Sequence, residues 1–211
     1  MSHRQFAETR RTISKEHRFS MEYTIILASN SPRRRELLTQ IGLAFAVAPS
    51  DVDERLLPGE APKDYAERLA LEKARSASER AGQAIVIAAD TIVVVDRTVL
   101  GKPSDAEDAR RMLMELSGRE HEVVTALAVM DAATGRSSVR TSITRVWFRA
   151  LTKREIDAYV ATSEPLDKAG AYGIQERGAL LVDRIEGCYS NVVGLPLSLL
   201  GEMLRDFGII L

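Results

Sequence analysis

The stretch Thr24-Ile25-Ile26-Leu27-Ala28-Ser29-Asn30-Ser31-Pro32-Arg33-Arg34-Arg35-Glu36-Leu37-Leu38 sets how the chain begins to fold. The run Thr24 to Ala28 reads as a strand and stops in three small polar residues. Pro32 then opens a helical pattern, expected to run to Ile41 and end at Gly42. Proline suits a helix's first position because its missing N–H would be unpaired there anyway. A strand, a polar turn and a helix start together present backbone N–H groups to an anion. Arg33 and Arg34 stand in that first turn, where the helix dipole disfavours cations. A bound phosphate would offset this; a solvated basic helix start is the alternative.

Outward from this stretch, strands and helices alternate. Phe45–Ala48 reads as a short strand and Val52–Ala61 as an acidic loop. Pro62 opens a second helix, with Tyr65, Leu69 and Ala77 near one face and Gly82 beyond its end. Ile85–Val95 is a long apolar, β-branched run broken only by Asp90-Thr91, the pattern of a strand buried on both faces. Asp96-Arg97 turns into Thr98–Leu100. Ser104-Asp105-Ala106-Glu107 and Thr152-Lys153-Arg154-Glu155 read as capping boxes, the first opening a helix that Gly118 ends. Val123–Met130 and Ser138–Arg149 form a predicted hairpin around Asp131–Arg136. A loop from Ser163 to Tyr172 leads to expected strands near Gly173–Gln175 and Ala179–Val182, and Pro196 starts a last helix before Gly208. The order predicts an α/β or α+β fold with a mixed sheet. Residues 1–20 are polar and charged without an apolar face or a secretory h-region. They read as a flexible tail, a basic targeting arm or a product of start-site choice, with Met21 just before the first strand; residues 21–211 read as the domain.

Bulk properties narrow the classes. The chain has 211 residues, of which 45% are hydrophobic and 28% charged, so it can bury a substantial core. The net charge of −1 makes any anion affinity local and argues against a stable nucleic-acid complex. One cysteine, Cys188, excludes an internal disulfide. Three scattered histidines, His3, His17 and His121, argue against a histidine metal centre or a Ser-His-Asp triad. No apolar run approaches the roughly 18 residues of a membrane span, and a cytoplasmic setting is expected.

Asp90 is the sharpest candidate. An unpaired carboxylate inside an apolar run would cost several kcal/mol. It is either a hydrogen-bonded structural aspartate or a metal ligand or general base, and Thr91 beside it supports either role. Lys73 and Lys102 read singly as surface lysines and gain meaning only by converging with Arg33 and Arg34. Asp51-Val52-Asp53-Glu54 offers hard oxygen ligands for a divalent cation, or is simply a solvated loop. Neither a Walker A motif nor a Gly-x-Gly-x-x-Gly fingerprint is present. In Glu164–Gln175, small residues allow close backbone approach, and the Gln175 amide both donates and accepts, as reading a base edge requires; a turn and a strand are the plainer reading. Trp147, Phe148 and Tyr159 fit core or partner packing better than a nucleobase platform.

Taken together, Leu27-Ala28-Ser29-x-Ser31-Pro32-Arg33-Arg34, Glu72-Lys73-Ala74, Ala89-Asp90-Thr91, Gly101-Lys102-Pro103, Ser117-Gly118, Glu164-Pro165-x-Asp167 through Gln175, and Val193-Gly194-Leu195-Pro196 resemble the Maf family in order and spacing. The match spans about Tyr23 to Phe207. The resemblance implies a nucleoside triphosphate pyrophosphatase with an inosine triphosphate pyrophosphatase-like fold: a mixed twisted sheet, flanking helices, and two lobes around a cleft. The segment Asp167–Gln175 looks like the branch acting on dTTP and UTP; the sister branch, acting on 7-methyl-GTP, lacks the glutamine. The resemblance makes Asp90 the proton acceptor and assigns Arg33, Thr91 and Gln175 to substrate specificity. Ser29, Arg34, Lys73 and Lys102 map onto active-site positions read as phosphate-binding. Glu54 also maps there and, with Asp90, is the expected ligand pair for Mg²⁺ or Mn²⁺. A nucleoside triphosphate is the implied partner, with a homodimer allowed. The family's name, from septum-formation inhibition, sustains a rival in which the chain acts mainly by protein interaction; 7-methyl-GTP specificity is a second rival. One departure stands out: Glu176-Arg177 follows Gln175 where many relatives have a glycine.

Overall fold

The computed structural model describes residues 24–211, so the expectation about residues 1–20 lies outside the described residues. Strand β1 (Thr24–Leu27) leads through the polar turn into α1 (Pro32–Gln40), with Pro32 at the helix start and Ser31 as its cap. After β2 (Ala46–Val47) and the acidic loop comes α2 (Pro62–Ser78), which buries Ala66, Leu69, Ala70, Ala74 and Ala77. Four alanines in that stripe let the helix lie close on the sheet. Next are β3 (Ala84–Val95), β4 (Thr98–Leu100), α3 (Ala106–Leu116), and the hairpin of β5 (Glu120–Asp131) and β6 (Ser137–Phe148). Then follow α4 (Lys153–Val160), three short 3₁₀ turns between Glu164 and Leu181, β7 (Val182–Glu186), α5 (Tyr189–Val193) and α6 (Leu197–Asp206).

The strands form one mixed sheet in the order β2-β1-β3-β5-β6-β7, with β4 also pairing β3. The register of β3 positions the site. On one edge, β1 runs parallel to β3 only from Ala84 to Ile87, and β4 pairs antiparallel with it only from Val93 to Val95. Between them, residues 88–92 have no neighbour on that edge, while the other edge is paired with β5 throughout. Asp90 is the central residue of this gap.

Side chains alternate across the pleat. Even-numbered residues of β3 (Val86, Ala88, Ile92, Val94) face α2 in one apolar cluster. Odd-numbered residues face the other way and fall into two separate clusters. Ile85, Ile87 and Ala89 pack with α1 and α6, and Val93 and Val95 pack with α3, α4 and Tyr172. Thr91 and its β5 partner Thr125 interrupt the apolar run between them. The two lobes are these two odd-face clusters, and the polar belt marks the cleft floor.

Three local expectations change. No strand forms at Gly173–Gln175 or Ala179–Leu181; turns occupy this region and β7 begins at Val182. Alternating small residues there resemble a strand pattern, but positive φ values at Gly170, Ala171 and Glu176 break the extended path. The cap of α3 is Asp105 rather than Ser104: Asp105 accepts from the Asp108 N–H, and Asp108 reaches back to the Ser104 N–H. The Thr152–Glu155 box forms as expected. Helix α5 lies where the sequence pattern marked no element.

Candidate active site

The gap in β3 opens into a cavity of about 360 Å³. Ser29, Arg33, Arg34, Glu54, Lys73, Asp90, Thr91, Lys102 and Gln175 all line it. Residues separated by up to 146 positions in sequence are thus brought together.

One wall carries the cations. At the end of β1 the Ala28 N–H still bonds Ile87, and the chain then leaves the sheet into the turn. Ser29 Oγ accepts from the Ser31 N–H at 3.2 Å and from Arg34 at 3.1 Å. The Ser31 N–H is therefore already engaged, which narrows the backbone donors available to an anion. Arg33 donates to Asp167 at 3.0 Å across the cleft mouth. Arg34 is held by three neutral acceptors: Gly194 O at 2.8 Å, Ser29 Oγ, and Thr91 Oγ1 at 3.0 Å. Burial pulls Arg34 below the usual arginine value, against the opposing pull of the Asp90 charge. Lys102 follows β4 and lines the cavity from an exposed position.

At the gap's centre, Asp90 is 7% exposed. Lys73 projects from the middle of α2 and is itself largely covered; its ammonium lies 2.6 Å from Asp90 Oδ1 and 2.6 Å from Glu54 Oε1. The acidic loop is pinned to α2 by the Tyr65 hydroxyl, which donates to Glu54 O at 2.6 Å, and by Arg68, which donates to Arg55 O at 3.0 Å. Of the loop acids, only Glu54 reaches the site; Asp53 pairs with Arg55 on the surface. Burial pushes the Glu54 carboxyl up, but the hydrogen bond and charge of Lys73 outweigh it and leave the group below its ordinary value. Among the described residues, no three His, Cys, Asp or Glu groups form a preassembled metal cage.

The opposite wall is the run of turns. Gly170 donates to Gly101 O at 3.0 Å, and a Cβ there would lie 2.7 Å from Val93, so this backbone packs directly on β3. Glu164 ties the turns together by accepting from the Tyr159 hydroxyl at 2.9 Å and the Gly178 N–H at 3.1 Å. Beneath this wall, His121 Nε2 lies 2.8 Å from the Tyr172 hydroxyl, and both rings meet Phe148 edge-on. Burial drops His121 to about 4. Phe148 and Tyr159 are core residues, while Trp147 stacks under Arg184 with the guanidinium carbon 3.5 Å from the ring centroid.

The sequence pattern missed Thr125 and Asn191, both fully buried at the cleft floor. The available signal was weak: one hydroxyl inside Val123–Met130, and one amide just before Val192-Val193-Gly194.

Comparison with known proteins places the chain in a family. Residues 24–207 match the family described as Maf-like protein. A dTTP/UTP pyrophosphatase of Moorella thermoacetica is 54% identical over 185 residues, covering 88% of this chain and 95% of that protein. Proteins of the same description from Anaeromyxobacter dehalogenans (53% over 186 residues, 87% and 94% covered) and Syntrophomonas wolfei (49% over 182 residues, 86% and 96% covered) are similarly alike. With the match covering nearly every described residue, the chain belongs to the Maf family.

Proposed function

We propose that this protein hydrolyses dTTP and UTP, and modified pyrimidine triphosphates of similar edge chemistry, to the nucleoside monophosphate and pyrophosphate. The observation that carries the reading is the Lys73 ammonium, 2.6 Å from both Glu54 and Asp90 at the centre of an arginine-walled cleft. Relatives about 50% identical across the domain carry the same activity in their descriptions.

Arg33, Arg34, Lys73 and Lys102 bind the triphosphate, with the Ser29 hydroxyl as a further donor. Charge-assisted bonds of this kind contribute about 1.5–3 kcal/mol each. Lys73 engages Asp90 Oδ1, so Oδ2 is the atom that accepts the proton of the attacking water. Water adds at the α-phosphorus and pyrophosphate leaves, with the cations stabilising charge on the departing group. Positioning and charge stabilisation supply most of the catalysis, as in phosphoryl transfer generally.

The donor set suits a hard divalent cation. Two carboxylates converge on one positively charged point, and Mg²⁺ typically takes one or two carboxylates while phosphates and water complete its shell. Glu54 and Asp90 would hold such an ion, which when bound neutralises triphosphate charge and helps align the attack. Gln175 reads the uracil or thymine edge, accepting from N3–H and donating to a neighbouring carbonyl. Cytosine mismatches both groups, and a polar site left unpaired rejects it.

Among the described residues, no helix is long and apolar enough to cross a membrane. A cytoplasmic nucleotide-pool role fits the substrate, and residues 21–211 are the proposed catalytic unit. The test is pyrophosphate release from UTP, dTTP, CTP, GTP and 7-methyl-GTP, with and without Mg²⁺ or Mn²⁺, for wild type and Gln175→Ala. UTP and dTTP are expected to lead, with the gap over CTP shrinking in the variant. A lead for CTP or 7-methyl-GTP, or an unchanged gap, would remove Gln175 as the reader.

A further inference from the structure

The cleft floor contains a hydrogen-bond chain whose direction can be worked out atom by atom. Thr125 Oγ1 donates to Asn191 O at 3.1 Å. A hydroxyl has one hydrogen, so Thr125 has none left for Thr91, 2.9 Å away. Thr91 must therefore donate to Thr125. Its oxygen then accepts from Arg34 at 3.0 Å. The Thr91 hydrogen is thus directed to Thr125 on β5 and the Thr125 hydrogen to Asn191 on α5, so neither is available to a nucleotide.

Asn191 anchors the far end. Its amide donates to Val123 O at 3.0 Å and to Thr144 Oγ1 at 2.9 Å, fixing α5 against β5 and β6. Helix α5 ends at Gly194, whose φ of +119° lets its carbonyl reach Arg34 Nε at 2.8 Å. A Cβ at Gly194 would lie 3.4 Å from Thr91 Oγ1, so the backbone, threonine and guanidinium are closely fitted. Asn191 thus reaches Arg34 by two routes, through the threonines and through α5.

A guanidinium has five N–H donors. Gly194, Ser29 and Thr91 take one each, from Nε and the two terminal nitrogens respectively. Two remain, one on each terminal nitrogen, and Arg34 lines the cavity, so this pair can serve a phosphate.

Resting on the triphosphate-cleavage reading above, we propose that Thr125 and Asn191 are positioning residues that hold this Arg34 donor pair toward the phosphates. Thr91 is the acceptor completing the brace.

The experiment measures kcat and KM for UTP and CTP, and calorimetric Kd for inorganic tripolyphosphate. It uses wild type, Thr125→Val, Thr125→Ser, Thr91→Val, Arg34→Lys, and Arg34→Lys combined with Thr125→Val. Thr125→Val is expected to lower kcat/KM about tenfold for both nucleotides and to weaken tripolyphosphate binding, because a bond to a charged group is lost or misaligned. Thr125→Ser keeps the hydroxyl and restores activity to within about twofold. In the Arg34→Lys background, Thr125→Val adds no further loss, since residues acting through one group are not additive. A folded Thr125→Val enzyme with wild-type kcat/KM overturns the proposal, as does the same tenfold loss repeated on Arg34→Lys. If Thr125→Val does not fold, Thr91→Val decides: weaker tripolyphosphate binding supports the brace, while an unchanged tripolyphosphate Kd overturns it. Failure of the broader reading has a different signature. Wild type would then release no pyrophosphate from any nucleotide, while tripolyphosphate Kd across the variants would still report on the brace.

Discussion

Apart from Lys102, the cation wall of the cleft stands on regular elements, and the facing wall stands on turns. Arg33 and Arg34 project from the start of α1, Lys73 from the middle of α2, and Asp90 from the longest-buried stretch of β3. Each belongs to a helix or strand whose ladder is made of backbone hydrogen bonds. Gln175 sits between 3₁₀ turns with left-handed residues at Ser163, Gly170, Ala171 and Glu176. That wall relies on a few side-chain bonds centred on Glu164, and on Gly178, where a Cβ would fall 1.9 Å from Gly173 O. On the proposed reading, charge chemistry common to every triphosphate is held on rigid structure, and base selection on a segment that can vary by changing few contacts.

The strongest way to break this contrast is Asp90→Asn. The change is nearly isosteric and removes the proposed proton acceptor while leaving the apolar strand intact. Pyrophosphate release is expected to fall at least about a hundredfold, the lower end of general-base contributions. Near-normal turnover in a folded variant would take catalysis away from the cation wall.

Acid is expected to weaken the turn wall through His121. The folded-state value near 4 lies below the ordinary 6.5 because of burial. Between those values the unfolded chain binds a proton that the folded chain excludes. Stability from this group is therefore full above pH 6.5 and declines as pH falls toward 4, by up to about 3 kcal/mol in total. Urea melts from pH 7 to 4 on wild type and His121→Phe measure it. The variant should show a flatter decline, and parallel curves would mean that other groups carry the acid sensitivity.

Glu164→Ala sharpens the comparison. It removes the acceptor shared by the Tyr159 hydroxyl and the Gly178 N–H. Loss of these bonds is expected to lower kcat/KM for UTP about tenfold while the Kd for tripolyphosphate stays unchanged. Equal loss in both would show that the walls are not independent. The smallest effect concerns residues 1–20: their deletion is expected to leave activity intact and to cost less than about 1 kcal/mol of stability, since they carry no apolar face to bury. A larger drop in denaturant midpoint would show that they pack on the domain.

Much of the local architecture was legible. The strand-turn-helix at Thr24–Leu38, the Pro62 helix start, the β5–β6 hairpin and the Thr152 capping box depend on periodicity, caps and turn residues within a few positions. Asp90 stood out because a carboxylate in an apolar run must be explained. The turns at Glu164–Leu181 were misread in part because their small residues fit a strand pattern while their left-handed angles are imposed by packing on β3 and Glu164.

Near-neighbour signals in the chain were enough to specify the set of local elements and one conspicuous acid. The assembled fold was needed to show that Lys73, not a solvated surface lysine, is shared by Glu54 and Asp90, and that Glu54 rather than Asp51 or Asp53 reaches the cleft. It also decided that Arg33 meets Asp167 from 134 residues away, and that two threonines and an asparagine stand behind Arg34. The physical reason is range. Helix and strand signals arise from bonds between near neighbours, whereas these contacts depend on where β1 and β4 stop along β3, a register set by burial over the whole sheet.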